Sequence, residues 1–302
     1  MSIVVVGSIA YDTVITPYGR REQTLGGAAT FFSVAASYFC PVQVVGVVGE
    51  DFSDEDVEVF SARGIDTQGI ARRPGKSFRW GGEYSWNLNE RETLFTELNV
   101  FEEFDPELPP AYRTTPHVFL ANIAPGLQLS VLEQVESPRL VALDTMNYWI
   151  EGDRDALAEV LKRVDILVIN DEEARQLADE YNLVKAAEAV LSMGPTAVVI
   201  KRGEHGATAF LGDEIFNVPG FPLRDLADPT GAGDTFAGGF MGHLARHGDH
   251  GPEGLRRAIV AGSVMASFCV EAFSLDGITN LDEDQIAARY RAFQALTRFG
   301  DL

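Results

Sequence analysis

Short apolar segments bounded by turn residues recur along the chain, and they constrain its fold more than any other feature. They are rich in Val, Ile and Leu and fall at residues 3–6, 42–48, 118–120, 140–143, 166–169 and 197–200. Amphipathic helical patterns separate several of them, at residues 155–164, 171–181 and 185–193. Alternation of buried strands with helices predicts a mostly parallel sheet covered by helices, which is an α/β fold.

Two regions, residues 15–24 and 78–98, break this alternation. Segments within them, such as FRWGGEYSWN, alternate in a way that is typical of exposed antiparallel strands. No linker rich in Pro, Gly or Ser separates two zones of different composition. We therefore expect a single domain over residues 1–302, with a small β lid inserted at approximately residues 13–25 and 72–104.

The charge of the chain excludes some classes of partner. It carries 24 Lys and Arg residues against 45 Asp and Glu residues, a formal net charge of -21. Such a charge repels phosphate backbones and anionic membrane surfaces, so we expect neither nucleic acid nor membrane as a partner. Cys40 and Cys269 have apolar neighbours, as buried thiols in a reducing compartment do. The chain starts without a charged leader and no apolar stretch reaches ~18 residues, so we expect a cytoplasmic protein.

The string DPTGAGDTFAGGF, at residues 228–240, is the segment that most clearly indicates a chemistry. Gly231, Ala232 and Gly233 leave room for close backbone approach at a helix start, where free N–H groups carry about half a positive charge. Asp234 follows directly, and a carboxylate there can take a proton from a hydroxyl while the amides hold a phosphoryl group. The alternative is an ordinary helix start with an Asp that complements the helix dipole.

This thirteen-residue string resembles the carboxy-terminal motif of the ribokinase-like, or PfkB-type, carbohydrate and nucleoside kinases. The resemblance implies a ribokinase-like three-layer α/β/α domain with a mostly parallel central sheet and a small β-sheet lid. It also implies transfer of the γ-phosphoryl group of ATP to an alcohol, with Asp234 as the catalytic base. The amides of Gly231, Ala232 and Gly233 would form the anion hole, and Thr230 with the same glycines would contact the nucleotide.

Other segments resemble the acceptor side of the same family. Asp12 follows the first strand, where relatives hold vicinal hydroxyls with an aspartate; taken alone, it also fits a turn or capping residue. Gly26 and Gly27 match the di-glycine whose backbone lies against the acceptor. Phe31 stands where many relatives carry an Asn that binds a sugar hydroxyl, and the variant GGAATFF is more similar to inositol kinases. Phe31 either stacks on the substrate or fills the core.

Two further segments concern the metal ion and the acceptor. Asn170 and Glu173 follow a predicted strand and resemble the family's NxxE motif, which helps to hold Mg2+ largely through water. The same pair suits a helix N-cap, and the two roles are compatible. Asp144 and Asn147 resemble the DxNxR segment of the family, but no Arg follows at the matching distance. Asp144 is therefore the preferred substrate-binding candidate of the two.

Lys201, Gly203 and Gly206 belong to the strand end and glycine turn that relatives place beside the nucleotide. Lys201 would then contact a phosphate or the ribose. A solvated charge at the end of a strand fits its position equally well.

Taken together, these features favour an ATP-dependent kinase of a small sugar or polyol, with an inositol-like acceptor as one candidate. The first alternative is a nucleoside kinase of the adenosine, inosine or cytidine type, in which Phe31, Phe32 and the lid aromatics Trp80, Tyr84 and Trp86 would enclose the base. The second is a non-catalytic nucleotide or sugar sensor, against which the intact catalytic motif speaks. The expected cofactors are ATP and Mg2+. The resemblance also suggests a K+ requirement and a homodimer through the lid, which the sequence leaves open.

Overall fold

The apolar segments predicted as strands form the centre of a nine-stranded sheet in the computed structural model, which describes residues 1–298 and 300. The strands of the described residues are β1 (Ile3–Val6), β2 (Ala10–Thr16), β3 (Gly19–Gly26), β4 (Val42–Val48), β5 (Asp66–Arg72), β6 (Phe78–Tyr84), β7 (Arg91–Glu97), β8 (His117–Leu120), β9 (Leu140–Asp144), β10 (Ile166–Asn170), β11 (Ala197–Lys201), β12 (Ala207–Leu211) and β13 (Glu214–Val218). The large sheet has the order β13-β12-β11-β10-β9-β8-β1-β4-β5. Its pairings are parallel except β11 with β12 and β12 with β13, so the predicted α/β class is confirmed.

Helices cover both faces of this sheet. In the described part of the chain they are α1 (Ala28–Ala36), α2 (Asp54–Ser61), α3 (Pro125–Gln134), α4 (Asn147–Gly152), α5 (Arg154–Leu161), α6 (Asp171–Ala178), α7 (Leu183–Leu191), α8 (Ala232–His247), α9 (Pro252–Cys269) and α10 (Glu283–Thr297). None of the helices described here is long and apolar enough to span a membrane.

Alternate side chains of each central strand divide the core into two layers. Ile3 and Val5 of β1 belong to the layer under α1, α8 and α9, whereas Val4 and Val6 belong to the layer under α3, α5 and α7. Because both faces are buried, the central strands are continuous apolar runs in the sequence rather than alternating ones.

A second sheet, which we call the lid sheet, has the order β3-β2-β6-β7. β2 and β3 form one antiparallel hairpin and β6 and β7 form another, as the alternating patterns predict. The two hairpins are joined by β2 and β6, which pair in parallel, a contact that the sequence did not predict. β2 follows β1 and β6 follows β5 after short connections, and β1 and β5 are themselves parallel to each other.

The sequence patterns do not predict β5, α2, α3 or α4. β5 lies at the edge of the large sheet, and only Gly69 of its seven residues is buried, so it lacks the apolar run of a central strand. α2 begins at a capping box formed by Ser53 and Asp56, and α3 begins at Pro125, which suits the first turn of a helix. Capping residues, rather than hydrophobic periodicity, mark α2 and α3.

The close packing of α1 against α8 gives a stability prediction. A Cβ atom on Gly238 of α8 would overlap the carbonyl oxygen of Phe32 in α1 and lie 2.9 Å from Cβ of Ala35. Gly238→Ala should therefore lower the free energy of unfolding by about 2 kcal/mol, as overpacked cores do. The matched control is Gly126→Ala in α3, where a Cβ meets nothing within 4 Å and better helix propensity adds up to about 1 kcal/mol. Urea unfolding measures both, and equal midpoints for the two variants would contradict the prediction.

Candidate active site

Polar residues end three neighbouring parallel strands at one edge of the large sheet. Asp144 ends β9, Asn170 ends β10 and Lys201 ends β11, with Asn170 opposite Lys201 in the strand register. Parallel strands present their carboxyl ends at the same edge, so side chains that are distant in sequence meet there. The first turn of α8 lies against them, because Lys201 Nζ is 3.1 Å from the position that a Cβ on Gly233 would take.

The turn that opens α8 depends on Gly231. This residue is the N-cap and has a left-handed backbone with φ of 74°, which favours glycine. A Cβ at this position would overlap the aromatic ring of Phe31, which is only 1% exposed. Of the two roles that the sequence left open for Phe31, the structure supports core packing: its ring forms the floor beneath the turn.

The backbone amides of this turn are not equivalent. The Ala232 amide donates to the carbonyl of Pro229 at 3.2 Å, and the Thr235 amide donates to the carbonyl of Gly231 at 2.8 Å. Among residues 1–298 and 300, no protein group accepts a hydrogen bond from the amide of Gly231 or Gly233. Two of the three predicted anion-hole amides are therefore available to a ligand, while that of Ala232 stabilises the turn.

Lys201 is not a solvated charge at a strand end. Its side chain is 18% exposed, and its Nζ lies 3.6 Å from Oδ2 of Asp144. Burial lowers the pKa of Lys201, but the carboxylates of Asp144, Glu173 and Asp234 outweigh this effect and hold the pKa above its usual value. Lys201 therefore stays protonated and supplies a fixed positive charge among three carboxyl groups.

The carboxyl groups around Lys201 hold protons more tightly than ordinary ones. Burial, reinforced by the charge of Asp144, raises the pKa of Asp234 to about 7 against the opposing attraction of Lys201. Burial likewise raises the pKa of Glu173 to about 7, with Lys201 lowering it and Asp144 raising it. A carboxyl group with a pKa near neutrality is a better proton acceptor than an ordinary aspartate and is still ionised in part at pH 7.

Asp12 lies on the lid sheet beside the start of α1. Burial raises the pKa of Asp12 to about 7, and the nearby Gly27 amide opposes this rise only in part. A Cβ on Gly26 would overlap Oδ2 of Asp12, and one on Gly27, where φ is 90°, would lie 2.6 Å from the carbonyl oxygen of Ser8. The two glycines are thus required for the backbone to reach this carboxylate.

The loop before α8 is fixed by Asp228 and touches the lid sheet. Asp228 is buried, and its carboxylate accepts hydrogen bonds from the amides of Thr230 at 2.8 Å and Ser274 at 3.1 Å. The Thr230 hydroxyl donates to the hydroxyl of Tyr84 in β6 at 3.2 Å. This contact brings the lid sheet onto the turn that carries Gly231.

Comparison with known proteins identifies the family of a chain with this fold and this site. A family model described as "pfkB family carbohydrate kinase" matches residues 1–279. The chain belongs to this pfkB family.

Individual pfkB-family relatives differ in the acceptors that their names specify. The chain is 29% identical to the cytidine kinase of Thermococcus kodakarensis over 252 residues, which is 82% of this chain and 89% of that protein. It is 28% identical to the ATP-dependent ribose-1-phosphate kinase of Halopiger xanaduensis over 278 residues, 84% of this chain and 89% of that protein. The solved structure of the Burkholderia thailandensis nucleoside kinase in complex with inosine superposes with a TM-score of 0.81 at 19% identity, covering 97% of this chain and 99% of that one.

Membership of the pfkB family establishes the general reaction. Its kinases are ATP-dependent phosphotransferases that act on hydroxyl groups and use ATP with a divalent metal ion. The enzyme class predicted from the sequence is therefore confirmed, as is the ribokinase-like fold with a large sheet and a smaller one.

The residues of this pfkB-family kinase fit a metal ion held mainly by water and phosphate. Asn170 and Glu173 form the capping box of α6, with the Glu173 amide donating to Asn170 Oδ1 and the Asn170 amide donating to Glu173 Oε2, both at 2.8 Å. One carboxylate oxygen of Glu173 remains outside the box. Within the described ranges, no three His, Cys, Asp or Glu side chains converge on one metal position. Hard oxygen donors with few direct protein bonds are what Mg2+ prefers.

The glycine turn after β11 is in contact with the lid of the kinase. Residues Gly203–His205 form a single 3-10 turn, and a Cβ on Gly206 would overlap the carbonyl oxygen of Val218. Asn89, in the turn between β6 and β7, donates from Nδ2 to Oε1 of Glu204 at 3.1 Å. The lid hairpin therefore contacts the segment that the sequence assigns to the nucleotide.

No pattern in the sequence identifies Arg91, the first residue of β7. Its guanidinium carbon lies 5.0 Å from the ring centre of Trp80, and its charge lowers the pKa values of Asp12, Glu173 and Asp234 against the larger effect of burial. The segment RETLFTEL alternates like any exposed strand, so no pattern in it distinguishes this arginine from the other charged residues. Its position opposite Tyr84 follows from the pairing of β6 with β7, which no local pattern encodes.

The raised pKa of Asp234 predicts a cost to stability. Between about pH 4 and pH 7 the folded chain keeps a proton that the unfolded chain releases, so this group lowers stability as the pH rises, and the full loss is present above pH 7. Asp234→Asn should therefore raise the Tm of the ligand-free enzyme by a few degrees at pH 8 and have little effect at pH 4. Thermal unfolding at both pH values measures this. Asp213→Asn, at an exposed turn, is the control, and the prediction fails if both variants respond alike to pH.

Proposed function

We propose that this pfkB-family kinase phosphorylates a hydroxyl group on the ribose of a nucleoside. The observation that carries the proposal is the pairing of Asp12 with Trp80 in adjacent strands of the lid sheet. Paired residues of neighbouring strands point to the same face, so an aromatic ring stands beside a buried carboxylate. A carboxylate accepts two hydrogen bonds from a vicinal diol, and an indole ring offers a surface for a base.

The similarity to the cytidine kinase supports a nucleoside acceptor better than the inositol-like polyol that the sequence analysis placed first. A free polyol has no flat group that would use Trp80. A sugar phosphate would bring a second phosphate into a site where Asp12, Asp144, Glu173 and Asp234 already outnumber the available cations, which is unfavourable. An uncharged nucleoside avoids this repulsion.

The proposed mechanism assigns one task to each part of the site. Asp12 and the backbone of Gly27 orient the ribose diol, and Asp234 accepts the proton of the attacking hydroxyl. The amides of Gly231 and Gly233 donate to the oxygens of the transferred phosphoryl group. Asn170 and Glu173 are the residues that would hold Mg2+ through water, and the bound ion would neutralise phosphate charge.

The buried charges of Lys201 and Asp144 play a supporting part in this mechanism. Lys201 lies beside Gly233 at the start of α8, where it adds positive charge to that of the free amides. Its attraction keeps Asp234 from holding its proton still more tightly. Asp144 anchors the ammonium group through its Oδ2. We assign both residues to the phosphate side of the site, although the sequence placed Asp144 with the acceptor.

The proposal predicts which alcohols release ADP from ATP. Cytidine, adenosine or inosine should be phosphorylated, whereas myo-inositol, fructose, ribose and ribose 1-phosphate should not. A 2′-deoxynucleoside loses one hydrogen bond to Asp12, so its kcat/KM should be about 10-fold to 100-fold lower than that of the ribonucleoside. A coupled assay of ADP release over this panel, with Mg2+ and with K+ exchanged for Na+ in parallel, measures the acceptor and the K+ requirement together.

A double-mutant cycle tests the role of Asp12. In Asp12→Asn the ratio of kcat/KM for the ribonucleoside to that for its 2′-deoxy analogue should fall towards 1, because the hydroxyl has lost its charged acceptor. An unchanged ratio would place the diol elsewhere. Turnover of a polyol with no turnover of any nucleoside would reject the proposed acceptor class. If no alcohol causes release of ADP, the alternative of a non-catalytic sensor would be favoured instead.

Asp234→Asn tests the proton acceptor. The change keeps the size of the side chain and removes its basicity, so kcat should fall about 100-fold to 10,000-fold while ATP still binds. Steady-state kinetics and calorimetric titration of ATP measure the two effects. More than a few per cent of wild-type turnover would mean that another group takes the proton.

A further inference from the structure

Two consecutive glycines, Gly81 and Gly82, lie in the middle of β6 in the lid sheet. Glycine weakens the interior of a strand, because it loses more conformational freedom on folding than other residues and has no side chain to pack. Neither of these glycines needs that freedom, since neither has a positive φ. They are therefore explained by the groups that lie over them and not by their backbone conformation.

Each glycine lies under an aromatic ring. A Cβ on Gly82 would lie 2.3 Å from Cη2 and 2.5 Å from Cζ2 of Trp80, so the benzene half of the indole rests directly on this residue. A Cβ on Gly81 would lie 2.3 Å from Cε1 of Phe95, its partner in β7. Successive residues of a strand point to opposite faces, so the two rings lie on different faces of the lid sheet.

The face that carries Trp80 and Gly82 is the one that carries the candidate acceptor site. Asp12, which pairs with Trp80 in the strand register, is buried. Tyr84, which points to the same face from the end of β6, accepts a hydrogen bond from Thr230 in the loop before α8. Trp80 and Gly82 lie between these contacts, so the indole borders the space next to the Asp12 carboxylate.

The indole of Trp80 is held against the strand, whereas the ring of Phe95 is not confined. Gly82 supports the indole from the sheet, and the guanidinium carbon of Arg91 lies 5.0 Å from the centre of the indole. Phe95 is 37% exposed on the other face, where solvent gives its ring room to move. An indole that lies along β6 takes up less of the space next to Asp12 than one that points away from the sheet.

We propose that Gly82 is a positioning residue for Trp80 and thereby sets the size of the acceptor that the enzyme takes. Because Gly82 lets the indole lie along β6, room is left beside Asp12 for a base as well as a ribose. A side chain at this position would point away from the sheet on the same face and push the indole into that room. The phosphate side of the site, at the Gly231 turn, would be unchanged.

Gly82→Ala is the direct test, with kinetics measured on the acceptor that the wild-type enzyme uses. Its kcat/KM for a nucleoside should fall about 10-fold to 100-fold through a higher KM of the nucleoside, as poorer fit in a pocket does. Among the nucleosides that the wild type accepts, the one with the largest base should lose most. The KM of ATP should stay within about twofold of wild type, because the change lies on the acceptor side.

Trp80→Leu makes the test specific to the indole. Leucine keeps an apolar side chain but lacks the benzene ring that lies over Gly82, so a methyl group at residue 82 has no ring to displace. Adding Gly82→Ala to Trp80→Leu should therefore change the KM of the acceptor by less than about twofold. A rise as large as the one in the wild-type background would mean that the glycine acts through the backbone, which overturns the inference.

Gly81→Ala is the matched control, because its methyl group would meet Phe95 on the other face of the same strand. It should keep the acceptor KM of the wild type, and equal rises for the two alanine variants contradict the inference, as does an unchanged acceptor KM in Gly82→Ala. Thermal unfolding of each variant checks folding. If Gly82→Ala does not fold, the comparison is made in a Trp80→Phe background, where the smaller ring is displaced less. The acceptor KM should still rise on adding Gly82→Ala there, and equal values overturn the inference.

This inference rests on the proposed nucleoside function, but the two can fail separately. If the acceptor panel identifies a sugar or polyol, the proposed nucleoside function fails by itself, and a raised KM of that acceptor in Gly82→Ala would still place it beside the indole. If a nucleoside is phosphorylated and Gly82→Ala keeps the wild-type KM for it, the function stands and the role of Gly82 fails.

Discussion

The ammonium group of Lys201 is the charge on which the site depends. The end of β11 places it next to Asp144 and at the start of α8, and its pKa is held up by the carboxylates of Asp144, Glu173 and Asp234. Removing the ammonium would leave three carboxyl groups in a poorly solvated pocket, where they would take up protons and lose their function. The same crowding of carboxyl groups lowers the stability of the fold, as is common at functional sites.

The large sheet could be predicted from the sequence because its central strands are buried on both faces and therefore appear as uninterrupted apolar runs. The segments 3–6 and 42–48 coincide with β1 and β4. β5 could not be predicted because a strand at the edge of a sheet needs no uninterrupted apolar run. The parallel pairing of β2 with β6 could not be predicted for a different reason. It joins two parts of the chain that are far apart in sequence, and no local pattern encodes a partner strand.

The residues of the candidate site also differ in how far the sequence predicts them. Residues carried by a contiguous motif, such as Gly231, Gly233 and Asp234, could be found from the sequence because neighbours along the chain remain neighbours in space. Lys201 was found at its strand end, but whether it was buried or solvated was decided only by the carboxyl groups around it. Arg91 could not be found, because its place beside Tyr84 and Trp80 comes from strand pairing and not from a local motif.

The lid sheet is attached to the body of the enzyme by four separate passages of the chain, two for each hairpin, and the β2–β6 pairing fuses the hairpins into one plate. A sheet attached at four points moves as one body, unlike a single flexible loop that can detach at one end. One of the four passages is the junction of β3 and α1 at Gly26 and Gly27, where a Cβ on Gly26 would overlap Oδ2 of Asp12. The proposed diol site at Asp12 therefore adjoins one of the four points at which the lid sheet is attached to the body of the enzyme.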